Sequence, residues 1–188
     1  MVFYHADRLH SLSEGMVIDL QPSPEPQTDT FNPFLHNISL HGMYTLSSHG
    51  LNMVGCAEFN NPVNDSLTEP CIEEDAEIIR KLVCPSSPSR LQSFFAVPTI
   101  SDLWRWNDAG YIVLDSCWLW KVQADIECPV VHDARHLRGS LSHRLLQDRG
   151  TQKALIDYWI GVFSSDPLPE VLLPLPITVL SRIHIPER

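Results

Sequence analysis

The sequence predicts an α+β domain, with short strands at its start, middle and end and helices between them. Three observations carry that expectation. Apolar, β-branched runs stand almost at the first residue, over Val2–Ala6 and Met16–Leu20. In the stretch 118–124, Trp118, Trp120, Val122 and Ala124 alternate with Leu119, Lys121 and Gln123, as on a half-buried strand. Ala76, Ile79, Leu82 and Val83 recur at helical spacing behind the acidic Glu73-Glu74-Asp75, which suits a first helical turn.

The remaining elements follow in order. Arg8 to Glu14 reads as a turn or short helix ended by Gly15. Gln21 to Pro33 contains Pro22, Pro24, Pro26 and Pro33 and reads as a stiff loop. Phe34 to Leu46 reads as a helix end with a turn at Gly42, and Asn60 to Pro70 as a polar loop. The helix over Glu73–Val83 stops at Pro85 and Pro88. Arg90 to Ala96 reads as a strand. Thr99 and Asp102 form a capping-box pair for a helix that carries Leu103, Trp104 and Trp106 and ends near Gly110. Leu137, Leu141 and Leu145 suggest a helix bent at Gly139. Thr151 to Phe163 is amphipathic, with Leu155, Tyr158, Trp159 and Val162 inward. The proline-rich Asp166 to Pro176 leads to a last strand over Ile177–Ile185. No repeat or linker divides the chain, so one domain over residues 1–188 is expected.

Composition narrows the function. The chain has 188 residues, 44% of them hydrophobic and 19% charged, as in a globular protein. A net charge of −10 argues against general nucleic-acid binding, which needs cations to neutralise phosphates. Arg135, Arg138, Arg144 and Arg149 do cluster, as the solvated face of a helix would. Five cysteines without a C-x-x-C pair suggest free thiols and neither a zinc site nor a disulfide framework. No apolar run approaches the roughly 18 residues of a membrane span. The first residues lack a basic region followed by an apolar core, so the expected compartment is the cytoplasm, or a target cell reached without a signal peptide. A G-x-S-x-G elbow and a Gly-rich phosphate loop are both absent.

The candidate site centres on Ser89-Arg90-Leu91-Gln92-Ser93-Phe94-Phe95-Ala96, where a polar run turns directly into an apolar one. His5 stands beside Tyr4 on the first strand, either as a ligand-binding group or as a satisfied histidine at a strand end. Arg8 offers a fork of donors suited to phosphate, with an ion pair to its neighbour Asp7 as the competing reading. Asp133 lies in Val130-Val131-His132-Asp133-Ala134-Arg135-His136, where His132 and His136 invite a metal reading that lacks an evident third ligand. Asp125 and Glu127 are the alternative acids.

The opening Tyr4-His5-Ala6-Asp7-Arg8, the block ending Phe94-Phe95-Ala96 and a late strand followed by Asp133 together resemble the ADP-ribosyltransferase fold. The likeness is to small single-domain members such as the rifamycin-modifying enzymes. The chain also resembles an uncharacterised bacterial domain family that shares the Tyr-His-x-Asp-Arg start and the Ser-Arg-x-Gln-Ser-Phe-Phe-Ala block. The transferase resemblance implies a split sheet with NAD across it, and transfer of ADP-ribose to a macromolecule or small molecule in bacterial or phage conflict. It implies that His5 and Arg8 hold NAD, that Tyr44 stacks on the nicotinamide and that Asp133 stabilises the ribosyl cation; Arg90, Gln92 and Ser93, from the block read as the middle of the cleft, are then expected to line the pocket centre. The sequence departs from the family's patterns: Glu-x-Glu and Ser-Thr-Ser are missing, and Ala6-Asp7 stands where the rifamycin enzymes have Gly-Thr. The competing expectation is a non-catalytic binding or inhibitor protein of the same fold that docks a protein partner through its acidic surface.

Overall fold

A computed structural model describes residues 1–24, 43–59, 68–138 and 149–184. Among these residues the chain is mixed α+β, and its strands pair antiparallel throughout. One sheet has the order β1-β6-β9-β2, from β1 (Val2–Asp7), β6 (Trp118–Ala124), β9 (Ile177–Ile183) and β2 (Val17–Ile18). A second has the order β5-β8-β7, from β5 (Ser93–Ala96), β8 (Pro169–Pro174) and β7 (Val131–Asp133). A small ribbon pairs β3 (Gln21–Pro22) with β4 (Thr45–Leu46).

The two larger sheets touch through a bridge between Tyr4 and Val97, where Tyr4 N donates to Val97 O at 3.0 Å and Val97 N donates back at 2.8 Å. Because side chains alternate along a strand, Phe3, His5 and Asp7 of β1 share the face opposite Tyr4 and Ala6. Phe3, Trp120, Val122 and Val179 pack with Ala96, Val171 and Leu173 of the second sheet in one core cluster. The other face of the first sheet, at Tyr4, Ala6 and Leu119, is covered by Leu103 and its neighbours on α3 (Ile100–Asp108). Leu172, on the outer face of the second sheet, packs against Ala76 and Ile79 of α2 (Thr68–Val83) and Leu155, Tyr158 and Trp159 of α5 (Arg149–Trp159). α1 (Ser48–Phe59) packs its Met53 and Val54 on Leu46 and Leu91, and α4 (Arg135–Arg138) is a single turn.

Several expectations are met and others corrected. The strands β1 and β6 and the Thr99–Asp102 capping box are as read from the sequence. Residues 8–14 take the turn alternative, with bends at 8–9, a turn at 14–15 and no helix, and the second strand shrinks to Val17–Ile18. The helix begun at Glu73 starts earlier, at Thr68. The expected strand over 90–96 divides into a 3-10 turn, Arg90–Gln92, and then β5, because the Ser89 side chain accepts from Leu91 N and caps the turn. α5 ends at Trp159, leaving Val162 42% exposed rather than inward. The proline-rich segment after Asp166 contains β8, the central strand of its sheet. Pro169 and Pro174 stand at its two ends and leave the interior ladder its donors. Most of the loop after Pro24, the helix end before Gly42 and the bend at Gly139 lie outside the described residues, as do Leu141, Arg144 and Leu145. No described helix is long and apolar enough to cross a membrane.

Candidate functional site

Beyond the Tyr4–Val97 bridge, β1 and β5 separate, and His5 is the first side chain past that point on the face toward the second sheet. Its Nδ1 donates to Phe95 O at 2.8 Å across the gap, and its ring lies 4.5 Å from that of Phe94. A carbonyl only accepts, so Nδ1 carries the proton and Nε2 of the neutral ring keeps its lone pair. Burial pushes the His5 pKa down against the opposing effects of Phe95 O and Asp7, so the neutral ring is favoured.

Two concavities share His5, Ala6, Arg8 and Phe95 in their walls. The larger, of about 750 Å³, is also lined by Leu9, Ser11, His49, Asn52 and Ser93. That volume falls within the roughly 300–1,000 Å³ range of small-molecule sites. The smaller, of about 110 Å³, is mostly apolar, with Leu103, Trp106 and Ile112 in its wall, and also contains Glu170. Arg8 is presented at both by a tight turn: Asp7 Oδ1 accepts from Leu9 N at 3.1 Å and Asp7 Oδ2 from Leu12 N at 2.9 Å. Asp7 is therefore occupied with backbone donors, and Arg8 projects as an exposed cation.

Behind Phe95 runs a buried line of charge. Arg90 Nε and Nη2 donate to the two oxygens of Glu73 at 2.8 and 2.9 Å. Arg90 Nη1 donates to Glu170 Oε1 and, at 2.6 Å, to the Tyr158 hydroxyl, which itself donates to Glu170 Oε1 at 2.5 Å. Burial opposes charge on both Glu73 and Arg90, yet each partner outweighs it. Arg90 with His49 holds the Glu73 carboxyl well below its ordinary value, and Glu170 with Glu73 holds the guanidinium well above its own. At the other end His49 Nε2 lies 3.2 Å from Glu73 Oε1, without the alignment of a hydrogen bond. The chain thus runs from a wall of the large cleft at His49 to a wall of the small cavity at Glu170.

The structure brings His5, Arg8 and Ser93 to one place. Ser93 is buried, and its hydroxyl donates to Ser89 O at 2.6 Å. The other candidates are placed elsewhere, and none of them lines either concavity. Arg90 is committed to Glu73 and Glu170. Gln92 Nε2 donates to Thr45 O at 2.9 Å and anchors the 3-10 turn to β4. Tyr44 is 73% exposed. Asp133 is fully buried and accepts backbone N–H bonds from Arg135, Ser164 and Leu168 at 3.0, 2.8 and 2.8 Å. Burial opposes its charge, but these hydrogen bonds, chiefly that from Ser164, hold its carboxyl below the ordinary value. Its neighbours are occupied as well: His132 Nδ1 donates to Tyr158 O and His136 Nε2 to Val162 O, each at 2.9 Å. Among the described residues no group of His, Cys, Asp and Glu is arranged to hold a metal ion.

Glu170 was the residue missed by sequence reasoning. It sits between Pro169 and Val171 in a proline-rich stretch to which the sequence reading assigns no strand, and only the sheet pairing brings it into a cavity wall that His5 also lines. His49 was missed because α1, with Gly50 and Gly55 inside it, carries little helical signal. Gly50 is needed there: a Cβ would lie 2.4 Å from Leu91 O.

Fold and site together describe a small α+β protein with a cleft at the junction of two sheets, a neutral histidine at its apex and a cation at its mouth. A sequence profile described as "Protein of unknown function (DUF2441)" matches residues 3–185, and the chain belongs to that family. No curated protein matches the chain.

Proposed function

We propose that the protein is an NAD-dependent mono-ADP-ribosyltransferase of split-sheet architecture, with Glu170 rather than Asp133 as the acid at the reacting centre. One observation carries the reading. His5, Arg8 and Glu170, from strands or strand ends of two different sheets, converge on adjoining concavities at the point where those sheets part.

The chemistry follows from their states. Neutral His5 offers Nε2 as an acceptor for a sugar hydroxyl, and Arg8 offers paired donors to the phosphates. Breaking the bond between ribose C1 and nicotinamide sends its electron pair to the pyridine nitrogen and leaves positive charge on the sugar, which the Glu170 carboxylate stabilises. The acceptor's nucleophile then bonds to C1 and gives up its proton. The mostly apolar small cavity suits the flat nicotinamide ring. The acceptor is a protein or a small molecule.

Calorimetric titration with NAD beside a nicotinamide-release assay tests the reading. Binding with slow release is expected, and Glu170→Gln should abolish release while binding persists. Absence of heat at millimolar NAD would sink the proposal and favour a non-catalytic protein that docks a partner through its acidic surface.

A further inference from the structure

We propose that Arg90 and Tyr158 are positioning residues, which grip one oxygen of Glu170 and so present its carboxylate to the small cavity. This rests on the reading of the cleft as an NAD-cleaving site. Both partners bond the same oxygen, Oε1, and among the described residues Oε2 has no hydrogen-bond partner. Glu170 is only 4% exposed, yet it lines the cavity that His5 also lines.

The grip is rigid because Arg90 is held on every side. Its Nε and Nη2 engage Glu73 as a fork, and its guanidinium carbon lies 4.7 Å above the Phe95 ring and 5.3 Å from the Tyr158 ring. Phe95 joins the two halves of the site, since its ring faces Arg90 and its carbonyl accepts from His5. Tyr158 is fixed in turn by stacking on His132 at 4.8 Å and by edge contact with Trp159 at 4.9 Å.

Stability alone does not call for ions at this position. Leu155, Trp159 and Leu172 already form an apolar cluster around Tyr158, and a buried ionic group is commonly no more stabilising than apolar residues of its size. What an ionic clamp provides, and a greasy contact does not, is a fixed direction for the carboxylate. Direction matters at a reacting centre, where a displacement of about 1 Å can cost up to about 100-fold in rate.

Crystal structures and steady-state kinetics of Tyr158→Phe and Arg90→Lys test the proposal. Tyr158→Phe deletes one hydroxyl and keeps the ring packing, so folding is preserved. Lysine keeps the charge at position 90 but cannot hold Glu73 and Glu170 at once. The expected result is a Glu170 carboxylate turned away from the cavity, with kcat down by roughly 10- to 100-fold, KM for NAD little changed, and a melting temperature near that of the wild type for Tyr158→Phe. Glu170 unmoved in both variants would overturn the proposal, as would a displaced Glu170 with unchanged kcat. A displaced Glu170 in variants of a protein whose wild type releases no nicotinamide would uphold the positioning and remove the transferase reading instead.

Discussion

Replacing Asp133 by Asn separates a structural acid from a catalytic one. Asp133 Oδ1 accepts from Arg135 N and Leu168 N, and Oδ2 accepts from Ser164 N. An asparagine with its oxygen in the Oδ1 position keeps the first two bonds as weaker neutral ones. It then sets an amide NH2 against the Ser164 N–H, where no bond is possible. One orphaned buried donor costs about 1–3 kcal/mol, and losing the charge from the remaining bonds adds roughly 1 kcal/mol. A loss of about 3 kcal/mol corresponds to a melting temperature lower by on the order of 6–12 °C in a chain of this size. Urea unfolding measures the loss directly, and its pH dependence supplies a second check. A carboxyl whose folded pKa lies below its ordinary 3.8 contributes its stabilisation fully above that value and loses it as pH falls through the folded value. The gap between wild type and variant should therefore be complete at neutral pH and shrink in strong acid. NAD binding and nicotinamide release, measured where the variant is folded, should persist. An unchanged urea midpoint together with lost release would refute the argument and make Asp133 the catalytic acid.

Other outcomes follow from the same structure. Burial depresses the pKa of both His5 and His132, so the unfolded chain binds more protons than the folded one just below the ordinary value of 6.5. Stability should be full above that value and fall as pH drops through it, and His132→Gln should flatten part of that fall in melting curves taken from pH 7.5 to 5. Gly50→Ala drives a methyl group into the Leu91 carbonyl oxygen and should cost about 1–3 kcal/mol by denaturant titration; a neutral result would mean that α1 slides freely on the 3-10 turn.

What the sequence determined by itself is what short-range chemistry writes. The alternation of Trp118 to Ala124 fixes a strand because its period is set by the backbone. The Thr99–Asp102 pair fixes a helix start because its partners lie three residues apart. His5 and Arg8 were legible as candidates because they flank a strand end, where side chains of such types face open space. The fold decided the rest. Arg90, Gln92 and Asp133 have the residue types of a site, but whether a polar group meets a ligand or a neighbour depends on partners far along the chain. Arg90 finds Glu73 and Glu170, Gln92 finds Thr45, and Asp133 finds Ser164 and Leu168. Glu170 shows the converse. Nothing local marks it, and it reaches the wall of the small cavity only because β8 inserts between β5 and β7 and the second sheet meets the first at Tyr4 and Val97. Strand pairing across so many residues is governed by the burial of whole faces and the satisfaction of distant backbone groups, and no short window of sequence contains that information.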